Sequence, residues 1–221
     1  MRFRAAVFAL LVAALPAAAQ SSLFLEDLTS PEVSEAVRAG KTTVLVPIGG
    51  TEWNGDHIAL GKHNARAKLL AARIAERLGD ALVAPVIAYV PEGAIDPPTQ
   101  HMKHPGTITV PADAFEKSLA STARSLRHHG FHDIVLLGDH GGYIASLRKV
   151  AREVKGVLVP EAYYREMEHA GMDDTAATLA VDPKMVRDPK GANAEKGRAI
   201  LDATVDRTVA EIRKSARAPV K

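Results

Sequence analysis

The chain has 221 residues, with 28 Lys and Arg against 26 Asp and Glu, 47% hydrophobic residues and no cysteine. So even a charge balance, with no basic stripe carrying interleaved aromatics, argues against a nucleic-acid-binding protein. Without cysteine there are no disulfides and no thiolate nucleophiles or ligands, so any metal must be held by nitrogen and oxygen.

Arg2 and Arg4 form a basic start, residues 5–15 an apolar stretch, and Ala17, Ala18 and Ala19 a small-residue cleavage site before Gln20. This is the pattern of a secretory signal peptide, too short in its apolar part to span a bilayer. The expectation is a leader over 1–19 and one domain over 20–221, exported to the periplasm or secreted. Loss of Arg2 and Arg4 leaves 26 basic against 26 acidic residues, and no later stretch is long and apolar enough to hold the chain in a membrane. About 200 residues fit one α/β domain with a real core.

Ser30 can cap a short helix over 31–39, ended by Gly40. Residues 42–48 read as a strand. Asn64 can cap a helix over 65–78, with Leu69, Leu70, Ile74 and Leu78 on one face. Residues 81–89 read as a second strand. The segment 90–105 holds Pro91, Pro97, Pro98 and Pro105, and is neither helix nor central strand. A short strand over 107–110 and a helix from Pro111 to about His128 follow. Residues 133–137 form a continuous apolar strand of the kind buried on both faces. A helix over 143–154, a strand over 156–160, a helix starting near Asp174 and a long helix over 194–214, capped by Asn193, complete the chain. Strands alternating with helices imply a mostly parallel sheet between helical layers.

Four segments follow these strands and carry the chemistry. The first, 49–64, is rich in glycine and brings Glu52, Trp53, Asn54, Asp56, His57 and His63. The second, 99–107, brings His101; the third, 138–143, brings Asp139, His140, Gly141 and Gly142; the fourth, 169–175, brings His169 and Asp174. In an open α/β sheet, ligands bind outside the carboxyl ends of strands. Imidazoles and carboxylates gathered there can hold a metal ion. His140 is a candidate ligand with Asp139 as its orienter or a second ligand, and Gly141 and Gly142 let backbone approach a bound group. His169 suits proton transfer, with an unperturbed pKa of about 6.5. Trp53 is either a pocket wall or core. His128, His129 and His132 read as a solvated cluster at a helix end. No Gly-x-Ser-x-Gly elbow and no phosphate-cradling Gly-x-x-x-x-Gly-Lys-Ser/Thr loop occurs.

Taken in order, the four segments resemble the creatininase (creatinine amidohydrolase) family. The family's Gly-Ser-x-Glu-Gln-His-Gly-Pro-His-Leu-Pro-Leu-x-x-Asp is similar to the run from Gly50 to His63. Its His-x-x-Phe-Pro-Gly-Thr is similar to His101 through Thr107. Its Asn-Gly-His-Gly-Gly-Asn is similar to Gly138 through Tyr143, and its His-Ala-Gly-x-x-Glu-Thr to His169 through Thr175. The resemblance implies a three-layer α/β/α sandwich and metal-dependent hydrolysis of a C–N bond in a small cyclic or linear amide. It also implies a zinc or manganese cofactor and a homo-oligomer, often a hexamer. Glu52 and His140 match metal ligands, and His169 matches a catalytic histidine. Asp174 stands at the family's Glu, and it joins His169 as a candidate catalytic residue.

The departures from the family pattern are specific. Asn54, a weak neutral donor, stands where the family has a ligating His. His63 stands where it has an Asp that bridges two metals, and Gly142 where creatininase has a Glu ligand. Imidazole does not bridge two ions as a carboxylate does, so one ion on Glu52, His63 and His140 is expected, with Asn54 beside it. Trp53, His57, His101, Asp139, Gly141 and Gly142 are expected around it. The rival is a degenerate member that has lost catalysis and binds a small molecule or partner in the same cleft.

Overall fold

The computed structural model describes residues 22–216, and the expected leader lies outside them. Helices α1 (Ser30–Arg38), α2 (Lys62–Leu78), α3 (Ala112–His128), α4 (Ile144–Glu153), α5 (Met172–Val181) and α6 (Ala194–Ala216) are interleaved with four strands. These are β1 (Thr43–Ile48), β2 (Ala81–Val83), β3 (Asp133–Gly138) and β4 (Val157–Leu158). All pair in parallel in the order β2-β1-β3-β4. The central strands β1 and β3 are buried almost throughout, which their unbroken apolar sequences require.

Alternating side chains divide the core in two. Val44, Val46, Ile48, Ile134 and Leu136 pack on one side against Phe115 and Leu119 of α3 and Leu147 and Val150 of α4. Leu45, Val135 and Leu137 pack on the other against Leu70 and Ile74 of α2 and Leu201, Val205 and Val209 of α6. The molecule is therefore an α/β/α sandwich. Among the described residues, no helix is long and apolar enough to cross a membrane.

Several boundaries differ from the sequence reading. β2 ends at Val83, not at residue 89, and beyond it only Ile87 bridges to Ile48. Pro85 removes a donor from the ladder there. Residues 107–110 form no strand; the Ile108 N–H donates to the Thr51 carbonyl (2.9 Å) and the Val110 N–H to Val90 (3.2 Å), so the segment ties loops together. Thr29, not Ser30, caps α1, in a reciprocal box with Glu32. α2 starts at Lys62 after Gly61, ahead of the expected cap Asn64. The Asn64 side chain instead accepts from the Gly50 N–H (2.9 Å) and donates to Thr51 Oγ1 (3.2 Å). The result places Lys62 and His63 in the first turn of α2, facing the site.

Candidate metal centre

The carboxyl ends of the four parallel strands all lie at one end of the sheet, where such sheets leave their ligand crevice. Glu52 follows β1, Glu92 and His101 follow β2, Asp139 and His140 follow β3, and His169 follows β4. Chain segments far apart in sequence thus meet because their strands are neighbours.

Glu52 is the hub and has no solvent exposure (0%). His63 Nε2 lies 2.9 Å from its Oε1, and His169 Nδ1 is 3.7 Å from the same oxygen. Oε2 faces His101 Nε2 at 3.3 Å and His140 Nε2 at 3.5 Å, without a hydrogen bond. Glu92 is as deeply buried, and neither of its oxygens has a partner. Its Oε2 lies 3.6 Å from His140 Nδ1, which is also unpartnered. Ligand atoms of Glu52, Glu92, His101 and His140 all fall within 4.8 Å of one another. Buried polar atoms without partners are rare and costly. Two carboxylates and an imidazole orphaned toward one point form a nitrogen-and-oxygen set that fits a divalent cation.

The electrostatics agree. Burial works to raise the Glu52 pKa, but the His63 hydrogen bond and the nearby His63 and His140 rings hold it well below the usual carboxylate range. Burial, and then the negative charge of Glu52, push Glu92 up to about 10. Burial brings His140 down to about 4 and also lowers His101 and His169. Such splitting marks carboxylates that cannot both ionise without a cation between them.

Behind Glu52 lies a buried ionic chain. His63 Nδ1 is 2.7 Å from Asp139 Oδ2, which also accepts from Arg66 Nε at 2.8 Å. Arg66 Nη1 donates to Asp174 Oδ1 at 2.8 Å, and Lys62 Nζ pairs with Asp174 Oδ2. The Ala170 N–H adds a bond to Asp174 at 3.0 Å. Burial opposes the Asp174 charge, but Lys62 and Arg66 outweigh it and hold the carboxyl well below its ordinary range.

Of the residues expected at the metal, Glu52 and His140 lie in the ligand group, and His101 joins them. His63 stands outside it, because both ring nitrogens face carboxylates within hydrogen-bond distance. Asn54 keeps its Oδ1 buried and without a partner. Its amide donates to the carbonyls of Glu52, Ala59 and Leu60 (3.0, 3.1 and 3.2 Å) and holds the first loop closed. Asp174 anchors Lys62 and Arg66, while His57 ties that loop to α5 through Thr175 Oγ1 (3.1 Å). Trp53 is a half-exposed wall stacked on His104 at 4.0 Å, not core, and its carbonyl meets His169 Nε2 at 2.9 Å. Gly142 leaves its space to the His140 ring: a Cβ there would lie 2.9 Å from Cε1. Gly141 likewise makes room for the Tyr164 hydroxyl.

Glu92, His104, Lys62 and Arg66 escape the sequence reading. Glu92 has one usable signal: like Glu52 it follows a strand toward the same end of the sheet. Lys62 and Arg66 have none, since charged helix residues are ordinarily solvated.

The sequence model of the creatininase family, described as creatinine amidohydrolase, matches residues 26–190. A mycofactocin precursor peptide peptidase from Mycolicibacterium smegmatis is 32% identical over 154 residues, covering 63% of this chain and 58% of its own. The creatinine amidohydrolase of Pseudomonas putida is 27% identical over 169 residues, covering 76% and 60%. The chain therefore spans about three fifths of the length of these curated relatives. A crystal structure of creatininase superposes with a TM-score of 0.74 at 23% identity, over 90% of this chain and all of that one. Other solved creatininases include a manganese form and a Zn–Zn form. With three quarters of its length matched by the family's sequence and its sheet superposing on the family's fold, the chain belongs to the creatininase family.

Proposed function

We propose that this protein is a metal-dependent amidohydrolase, exported from the cytoplasm, that cleaves a C–N bond in a small cyclic or linear amide. One observation carries the reading: Glu52 Oε2, both Glu92 oxygens and His140 Nδ1 are buried, unpartnered and convergent. Glu52, Glu92, His101 and His140 would hold zinc or manganese, which when bound supplies Lewis-acid activation of water and of an amide carbonyl. The relatives named for creatinine amidohydrolysis and peptide cleavage support a C–N bond as the target.

His169 is placed for the proton transfer. Its Nε2–H donates to the Trp53 carbonyl at 2.9 Å, which leaves Nδ1 as the acceptor facing Glu52. Burial lowers its pKa, which favours the neutral ring that a proton acceptor requires. It would take a proton from water and return it to the departing nitrogen. The stacked Trp53–His104 pair walls the approach.

The test is a panel of cyclic and linear amides offered to the purified protein with Zn²⁺ or Mn²⁺ restored. Turnover that stops with chelator and returns with metal is the expected result. A protein that keeps its ion yet hydrolyses no amide is a ligand-binding relative instead.

A further inference from the structure

The ionic chain behind Glu52 is too deeply buried to be a solvated surface feature. Lys62, His63, Arg66, Asp139 and Asp174 are each no more than 8% exposed. Side chains as long as Lys and Arg are almost never so buried unless paired. We infer that Lys62 and Arg66 are built-in counter-cations that set the capacity of the centre at one divalent ion. The inference rests on the metal-binding reading above and adds to it a stoichiometry and a role for these two residues.

Charge gives the first argument. The buried cluster holds four carboxylates, Glu52, Glu92, Asp139 and Asp174, against the two cations Lys62 and Arg66. His63 faces a carboxylate at each ring nitrogen and is a third cation when both nitrogens carry a proton, so at most two negative charges remain and one divalent ion is enough to cancel them. A second would leave at least two uncompensated positive charges in the interior, which is strongly unfavourable.

Geometry gives the second, independently. On the α2 side every donor atom is occupied. His63 holds Glu52 Oε1, Asp139 holds His63, Arg66 holds both Asp139 oxygens, and Asp174 is held by Arg66, Lys62 and the Ala170 N–H. Four of the unpartnered buried atoms, Glu52 Oε2, the Glu92 oxygens and His140 Nδ1, belong to the opposite group, while Asn54 Oδ1, His57 Nδ1 and the Tyr163 hydroxyl lie outside both it and the ionic chain. The unpartnered ligand atoms thus lie on one side of Glu52, and the ionic chain on the other has its polar atoms paired.

The full-length protein, stripped with chelator, is titrated with Co²⁺ and followed by visible absorption. Zinc content is read by elemental analysis after dialysis. Saturation at one equivalent of each is expected. Two equivalents overturn the inference, and if amide turnover persists the hydrolase reading stands without it. No binding overturns both. Lys62→Met removes a fixed positive charge beside the ion and should tighten Co²⁺ binding on the order of tenfold. A merely structural lysine would leave affinity unchanged or weaken it, and either result in a folded variant overturns the counter-cation role. If Lys62→Met does not fold, Lys62→Gln, which keeps a donor toward Asp174, is read the same way. The wild-type stoichiometry decides the capacity in either case.

Discussion

Four imidazoles surround the Glu52 carboxylate, and their second contacts separate their work. His101 and His140 face the unpartnered oxygen, His63 is clamped to Asp139, and His169 is oriented by the Trp53 carbonyl. Glu52→Ala and His140→Ala should therefore release the ion, as measured by elemental analysis. Glu92→Gln should weaken it, since a neutral amide replaces a buried carboxylate. His169→Ala should keep metal near the wild-type level while turnover falls by about 10²–10⁴, the range for a lost acid–base group. Loss of metal in His169→Ala with retention in His140→Ala would reverse the assignment. Asp174 makes a separate prediction. Its folded pKa lies below the ordinary 3.8, so its contribution is complete above that pH and fades as pH falls through the acid range. Asp174→Asn should cost about 3 kcal/mol or more in urea unfolding at pH 7, because it strands Lys62 and half of Arg66. The gap between variant and wild type should narrow on acidification.

At the level of elements, the site depends on how closely helices approach one another. Gly197 in α6 lies against the backbone of α5, where a Cβ would sit 1.9 Å from the Ala176 carbonyl oxygen. No side-chain rotation relieves that contact, so Gly197→Ala must push α5 away, and α5 carries Asp174 and Thr175. A loss of about 1–3 kcal/mol or more is expected from the denaturation midpoint. Gly79 is a useful contrast. It ends α2 in the left-handed region (φ 86°) with nothing near its missing Cβ. Gly79→Ala should cost only the backbone strain, about 1–2 kcal/mol, and leave metal content untouched.

Across the whole molecule, the layers were legible because β1 and β3 are continuous apolar runs and the helices between them have one apolar face. Glu52 and His140 were legible for the same reason, since each directly follows one of those strands. Glu92 was obscured by a proline-rich loop with no periodicity to show which way it faces. The supporting role of His63 was hidden too, because its partner Asp139 comes from the neighbouring strand, and pairing across a sheet is not written in local spacing. The short extents of β2 and β4 were overestimated because Val, Ile and Ala runs look alike whether or not a ladder partner exists. Ion binding should register globally. At a hundredfold excess over its dissociation constant an ion adds about 2.7 kcal/mol, or about 5–10 °C in Tm for a domain this size. Chelation should reverse that shift in a thermal melt, and an unchanged Tm would argue against a tightly held ion.

The brevity of the outer strands has a consequence for how copies of this chain can meet. β4 offers only two residues and runs into Pro160, while β2 offers three. The free side of β2 is already engaged: the Val83 N–H donates to the Leu23 carbonyl at 2.8 Å, and Phe24 bridges to Val83. An edge with no run of vacant N–H and C=O groups cannot template an added strand. Among the described residues, then, neither outer strand has the length on which a second copy could extend the sheet, which leaves helix and loop surfaces for contacts between copies.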